Sequence, residues 1–418
     1  MSKRWAYYND DEPYVCQWLR NLIAAGLIAP GEVDERPIQE VQPTDVRSFA
    51  QCHFFAGIGG WSRALTLAGW PNEKQVWTGS CPCFAAGTLI LTTRGMLPIE
   101  EVSVGALVAT HRGRWRSVTA TMRSVRETHV LRGQGHWGLE TTEEHPFLTG
   151  EEEWTEAARM VGRRWACVTR VPPTPIPSLP RRWWRGREQR PEVSAAFWKF
   201  VGYWLGDGWC RDEEQVVLCG GMSDGPLLRE LTAGAGLAGC LTAERTGVRL
   251  RVGSKLLAMW LEEGFGRGAS TKRIPSWLLA APVEVIAPFV EGLLLADGHA
   301  ETPLRGSPVR RLTTTSRAIA VGFRVLCNRL SLSASITWHK PERVCVIEGR
   351  NVKEQGFYRV TIYERARSFG INERAGWGLV RSIKSTGEVR EVFNIAVDED
   401  ESYVADGILV HNCQPFSA

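Results

Sequence analysis

The spacing of apolar positions changes character along this chain, and each change marks an element. Between residues 15 and 27 the apolar positions fall at 15, 18, 19, 22, 23 and 27. That is a helical period, and Gly26 is placed to cap its end. Pro30-Gly31 then opens a loop. Cys52-His-Phe-Phe55 is a short apolar run that enters a glycine-rich turn, with a helix expected from Trp61 to Leu67. After Cys83 the runs become short and β-rich, as in Thr88-Leu-Ile-Leu-Thr and Ala106-Leu-Val-Ala-Thr, broken by Gly and Pro turns. Residues 171–191 are rich in Pro and Arg and read as a domain joint. Residues 376–412 return to β character.

Between these β-rich parts, roughly 192–375, two stretches look alike. One is Phe200-Val-Gly-Tyr-Trp-Leu-Gly-Asp-Gly208 and the other Val290-Glu-Gly-Leu-Leu-Leu-Ala-Asp-Gly298. Each predicts an apolar helix with small residues four apart, Gly202 and Gly206 in the first, Gly292 and Ala296 in the second. Such spacing lets two helix backbones pack closely, with the Asp-Gly pairs at the helix ends. Packed together, the helices would bring Asp207 and Asp297 to one end. β-rich segments Gln215-Val-Val-Leu-Cys and Arg249-Leu-Arg-Val predict a first sheet, and Cys345-Val-Ile with Tyr358-Arg-Val-Thr-Ile-Tyr a second. Thr313 to Leu330 reads as an amphipathic helix whose apolar stripe belongs to the core.

At 418 residues the chain holds two to four domains, and 44% apolar content is ample for a core. A net charge of +4 does not by itself demand nucleic acid. The stretch RRWWRGREQR (181–190) is strongly basic, however, and reads equally as a solvated linker or as a segment laid on DNA phosphate. Eleven Cys occur without CxxC pairs, and Cys81-x-Cys83 is too tight for a zinc knuckle. No apolar signal core and no run of about 18 apolar residues is present. A cytoplasmic protein with reduced thiols and no membrane partner is therefore expected.

Removal of residues 83–412 joins Gly79-Ser-Cys-Pro82 to Cys413-Gln-Pro-Phe-Ser. The joined Pro-Cys-Gln resembles the catalytic loop of DNA cytosine-5 methyltransferases. The removed segment begins with Cys83 and ends in His411-Asn412 before Cys413, and it resembles a self-splicing intein. Its opening CFAAGTLILTTRGMLPIEEV, the Thr141-Thr-Glu-Glu-His-Pro-Phe stretch, and the closing Glu391-Val-Phe-Asn-Ile-Ala-Val and Ser402-to-Asn412 stretches are similar to the splicing motifs of that family. The resemblance implies an all-β Hint splicing fold and a set of roles. Cys83 attacks the Pro82 carbonyl, Thr142 orients the scissile bond, and His145 protonates the departing nitrogen. Cys413 takes over the acyl group, Asn412 cyclises, and His411 assists. Asn394 stands where the family usually has Asp, and Ser402 where it often has His.

The paired Asp-Gly helices resemble the LAGLIDADG homing endonucleases. That resemblance implies two saddle-shaped sheets lying on double-stranded DNA and Mg²⁺ held by Asp207 and Asp297. Lys272, in Lys272-Arg-Ile-Pro275, would be the basic active-site residue. Phe55, Gly57, Gly59 and Gly60 resemble the S-adenosylmethionine motif of the cytosine-5 methyltransferases. No Glu-Asn-Val motif follows, so methylation by this chain is not expected.

The expected architecture is α+β and multidomain. A methyltransferase-like, Rossmann-like fragment spans 1–82. A splicing domain is split into 83–185 and 376–412 by an α/β endonuclease domain at 192–375, and 413–418 begins the following flank. A monomer is expected, with no cofactor for splicing and S-adenosylmethionine only for an intact host enzyme. Two other readings stay open. One is a methyltransferase with an incidental insertion. The other is a splicing module with an inactive DNA-binding endonuclease domain.

Overall fold

The structure is a computed structural model. It describes residues 5–412 except 11, 37, 80–81, 179–181, 185–186, 190–192, 213, 303–307, 341–343, 348–349, 354–355, 364–369 and 372–374. Cys413 and, in the basic 181–190 stretch, residues 181, 185, 186 and 190 lie outside the described residues. Within that stretch the backbone of Arg182–Trp184 pairs with that of Arg187–Gln189.

Residues 5–79 form a four-stranded, all-parallel sheet, ordered Gly31–Asp34, Ala6–Asn9, Gln51–Phe54, Val76–Gly79. Parallel neighbours need crossovers, and the helices Pro13–Ala24 and Gly60–Leu67 supply them. The buried strand Gln51–Phe54 leads into Phe55, Gly57 and Gly59, all at positive φ. A side chain at Gly59 would also press on Leu19 and Leu22 of the first helix.

The large β fold is built around two long antiparallel strands, Trp115–Gly133 and Ala375–Val397. The register slips at 380/382, 385/389 and 396/397, and such bulges bend the ribbon. Among the described residues the entry and exit strands are not paired with each other, but both ends open on one cavity. Phe84 pairs with Thr141 and Phe393, while Ile408–His411 pairs with Ser402–Ala405 and touches Phe147 and Cys167. Phe84, Leu131, Leu139, Phe147, Trp165 and Tyr403 fill one core beneath both ends.

The inserted domain repeats one unit twice. Helix Ala195–Asp207 runs into strand Gly208–Arg211, and helix Val283–Asp297 into strand Gly298–Glu301. Each copy carries a four-stranded antiparallel sheet, and the two sheets share one strand order. The helices touch backbone to backbone. A Cβ on Gly202 would lie 2.0 Å from the Phe289 carbonyl oxygen, and one on Gly292 would lie 1.9 Å from that of Lys199. Glycine at both positions is thus a requirement of the packing.

Two expectations need correction. Cys345-Val-Ile does not join the second sheet: Val344–Ile347 pairs with Arg350–Lys353 in a separate hairpin, and Ser333–His339 takes the place beside Phe357–Tyr363. The helix expected from Thr313 begins only at Arg317, where the Ser316 hydroxyl accepts from the Ile319 amide. Thr313 and Thr314 end a strand, as β-branched residues favour. That helix is also buried on its polar side. Arg324 and Asn328 point into the large β fold, toward the Gly135, Asp406 and Val168 carbonyls. Among the described residues no helix is long and apolar enough to cross a membrane.

Candidate functional site

The Pro82–Cys83 peptide is held at both ends. The Cys83 N–H donates to Thr142 Oγ1 at 3.0 Å. On the other side Asn394 Nδ2 donates to the Pro82 carbonyl oxygen. The Cys83 carbonyl accepts from the Thr142 amide and the Thr141 hydroxyl, both at 2.9 Å. Cys83 is a fully buried free thiol, and burial pushes its pKa up to about 12, with Arg126 opposing. It therefore rests as the neutral thiol. His145 is fully buried beside Phe84, ring centroids 4.0 Å apart, and its ring faces the backbone of His411. Burial, with His411 nearby, holds His145 well below the usual imidazole range.

The other junction is more open. Asn412 is buried, its amide group donating to the Val397 carbonyl at 3.2 Å, while among the described residues its own side-chain oxygen has no partner. His411 Nδ1 lies 2.8 Å from the Asn412 carbonyl oxygen. The His411 side chain is 24% exposed, with Nε2 3.9 Å from Glu401. Pro82, His411 and Asn412 line one cavity of about 880 Å³, with Arg126, Glu143 and Glu144. Phe55, Gly57 and Gly60 of the glycine turn line it from the far side. The Gly57 amide is already taken by the Asp10 carboxylate at 2.9 Å, so that turn amide is not free for a ligand.

Two features were not foreseen from the sequence. His111 Nδ1 lies 2.6 Å from Ser402 Oγ, and the rings of His111 and His411 both stand edge-on to Trp154. An imidazole from a distant turn thus reaches the position where the sequence has Ser. Second, the turn at Asp406 that carries Ile408–His411 is gripped by the inserted domain. Arg317 donates to the buried Asp406 carboxylate at 2.5 Å, His136 Nε2 lies 3.3 Å from it, and Arg324 donates to the Asp406 backbone carbonyl. These partners hold Asp406 well below the usual carboxylate range despite its burial.

In the inserted domain the paired helices bring Asp207 and Asp297 together. A Cβ on Gly206 would lie 2.9 Å from an Asp297 carboxylate oxygen. Burial and then the charge of Asp207 push Asp297 up to about 6, and burial raises Asp207 as well. Among the described residues neither carboxylate has a hydrogen-bond or ion-pair partner. Two adjacent carboxylates, one raised by the charge of the other, fit a divalent cation. Lys272 lies below them. Its ammonium donates to the Trp204, Leu205 and Gly208 carbonyls at 3.1, 3.0 and 2.6 Å, so all three protons are engaged. Burial lowers it to about 8. It stabilises the carbonyl end of the Ala195–Asp207 helix as much as it attracts the two carboxylates.

Residues 82–138 match the family model described as Hint domain. A SufBD-family iron-sulfur cluster assembly protein of Mycobacterium tuberculosis is 26% identical over 85% of this chain and 45% of its own length. A DNA polymerase of Thermococcus sp. is 26% identical over 75% of this chain and 21% of its own length. The chain thus spans less than half the length of these curated relatives. Among solved structures, a DnaB intein from Synechocystis sp. is 9% identical with a TM-score of 0.27, over 80% of this chain and 99% of that one. The homing endonuclease I-DmoI in complex with DNA and Ca is 18% identical with a TM-score of 0.29, over 41% of this chain and 84% of that one.

Proposed function

We propose that residues 83–412 excise themselves and join Pro82 to Cys413. The observation that carries this reading is the Pro82–Cys83 peptide, gripped at its carbonyl and its amide inside a closed β fold, with Asn412 on the same cavity. The Hint match begins at residue 82, one position before the cysteine. The stretch shared with relatives of different names fills most of this chain and a minority of theirs, as an inserted element would.

A planar peptide is a poor acylating agent, so the first task is to convert it to a thioester. Cys83 Sγ attacks the Pro82 carbonyl carbon. The Cys83 thiol proton passes to the neutral His145 imidazole, which hands it on to the departing Cys83 nitrogen, oriented by Thr142. Cys413 then attacks the thioester. Pro82 and Asn412 line one cavity, and that closeness of the two junctions would give the transfer its effective molarity. Asn412 Nδ2 attacks its own carbonyl carbon to form a succinimide, with His411 Nδ1 at the carbonyl oxygen. The Pro82–Cys413 thioester finally shifts from sulfur to the free amine, giving an amide. No cofactor enters these steps.

We further propose that the inserted domain cuts double-stranded DNA. Asp207 and Asp297 would hold Mg²⁺, which when bound activates water and stabilises the leaving oxygen. Arg249 and Arg251 on one sheet, and Arg310, Arg311 and Arg359 on the other, supply charge for phosphate. The target would be the uninterrupted methyltransferase gene, and S-adenosylmethionine would serve only the joined and completed host.

The splicing reading is tested by intact mass of the chain with extended flanks, beside Cys83→Ala and Asn412→Ala. A free 83–412 species and a joined flank product from wild type alone support it, and a wild type that stays full length under reducing conditions refutes it. On a plasmid carrying the joined reading frame, Mg²⁺-dependent cutting should vanish in Asp207→Asn while splicing persists. Equal cutting by the variant would remove the carboxylate pair from the account.

A further inference from the structure

Resting on the splicing reading, we propose that Asn394 is a catalytic residue of the first step, the donor that takes up the charge developing on the Pro82 carbonyl oxygen. The sequence marks Asn394 only as a departure from an expected aspartate, whose part would be in later steps. The geometry assigns it elsewhere.

Asn394 is buried at 1% exposure, so each of its amide atoms needs a partner. Its side-chain oxygen accepts from the Tyr403 hydroxyl at 2.6 Å and from the Ile395 amide at 2.7 Å. Both partners are donors in this arrangement. The backbone N–H can only donate, and full burial keeps the Tyr403 hydroxyl protonated. They fix which end of the amide is oxygen, and the NH₂ end must face Pro82, where it donates to the scissile carbonyl oxygen. The orientation is therefore dictated by the network.

The consequence is chemical. As Cys83 Sγ bonds to the Pro82 carbon, the π pair moves onto oxygen. An N–H already aimed at that oxygen stabilises the alkoxide in a water-poor site. The C–N bond then breaks, the π bond re-forms, and the proton lost by sulfur is balanced by the proton gained by the Cys83 nitrogen. Products are a thioester and an amine, with no net gain or loss. An ionised aspartate could accept the same two donors, but it would turn a charged oxygen toward the scissile carbonyl oxygen and oppose the step.

The experiment uses the full chain with extended flanks. Cleavage after Pro82 by added dithiothreitol reports thioester formation. Cleavage after Asn412 in a Cys83→Ala background reports the other junction. Asn394→Leu should slow thioester formation about 10²- to 10³-fold, with cleavage after Asn412 changed only a few-fold. Asn394→Asp, which keeps the shape and fold, should be comparably slow at pH 8. Its deficit relative to wild type should shrink as the pH falls through the titration of the new carboxyl, since a protonated acid can donate. An Asn394→Asp chain that matches wild type at pH 8, or a deficit that does not change with pH, overturns the proposal alone. A wild type that forms no thioester overturns the splicing reading with it.

Discussion

The two ends of the insertion sit on one cavity but are built on opposite terms. At the Pro82 end the nucleophile and the histidine are both fully buried, and the scissile bond is fixed by neutral amide and hydroxyl groups. At the Asn412 end the histidine is partly exposed, sits near Glu401 and touches the carbonyl oxygen directly. The difference follows from what each end must survive. On the proposed reading, a thioester formed at Pro82 would be open to hydrolysis until Cys413 arrived, and the full burial of Cys83 and His145 would help to protect it. On the same reading, cyclisation of Asn412 would complete the release, and the partly exposed His411 stands at the carbonyl oxygen with access to solvent. The cost of the dry end is a thiol held neutral, with Cys83 pushed up to about 12. Its activation has to come with the attack itself rather than from a standing thiolate.

This contrast can be broken from either side. The largest effect is expected from His411→Ala, which removes the ring at the Asn412 carbonyl. Cleavage after Asn412 should fall about 10²- to 10⁴-fold, while dithiothreitol-induced cleavage after Pro82 changes little. Equal loss at both ends would show that the junctions are not separately built. Thr142→Val should act in the mirror sense. It removes the acceptor for the Cys83 N–H at 3.0 Å and should slow thioester formation by roughly ten- to a hundredfold, since one positioned hydrogen bond is worth about 1–3 kcal/mol. Asn412 cyclisation, followed by gel in a Cys83→Ala background, should be unaffected.

The last effect concerns stability. Burial pushes His53 and His136 each down to about 4. The unfolded chain, with ordinary imidazoles near pH 6.5, takes up these protons first. Stability is therefore intact above that pH and is lost as the pH falls from about 6.5 toward 4, by up to about 1.4 kcal/mol per pH unit for each group. The urea midpoint measured at pH 7 and pH 5 should drop accordingly, and a flat profile would mean that these imidazoles are not held neutral.

Much of this was legible in the sequence because the signals are local or terminal. Cys83, His411 and Asn412 stand out because they flank a join of resembling motifs, and their roles belong to the proposal, whereas the two Asp-Gly helices stand out by repeating and do form helices. What the sequence withheld depends on partners far apart in the chain. Asn394 meets Pro82 across 312 residues, and His111 meets Ser402 across 291. Neither contact follows from a period, because the slips in the long ribbon set the register. The buried polar side of the Arg317–Arg329 helix was missed for a related reason. Arg324 looks solvent-facing on a helical wheel, yet it satisfies carbonyls of the splicing fold. The carboxylate pair was placed correctly at the helix ends, whereas the engagement of Lys272 by three carbonyls appears only in three dimensions.

The central claim is that a new peptide bond forms between Pro82 and Cys413. The most direct measurement is fragmentation mass spectrometry of a proteolytic peptide spanning the joined flanks. The account predicts one continuous ladder reading Ser-Cys-Pro-Cys-Gln across the junction. Recovery of only separate ends, with Pro82 carrying a free carboxyl, would mean cleavage without ligation and would contradict it.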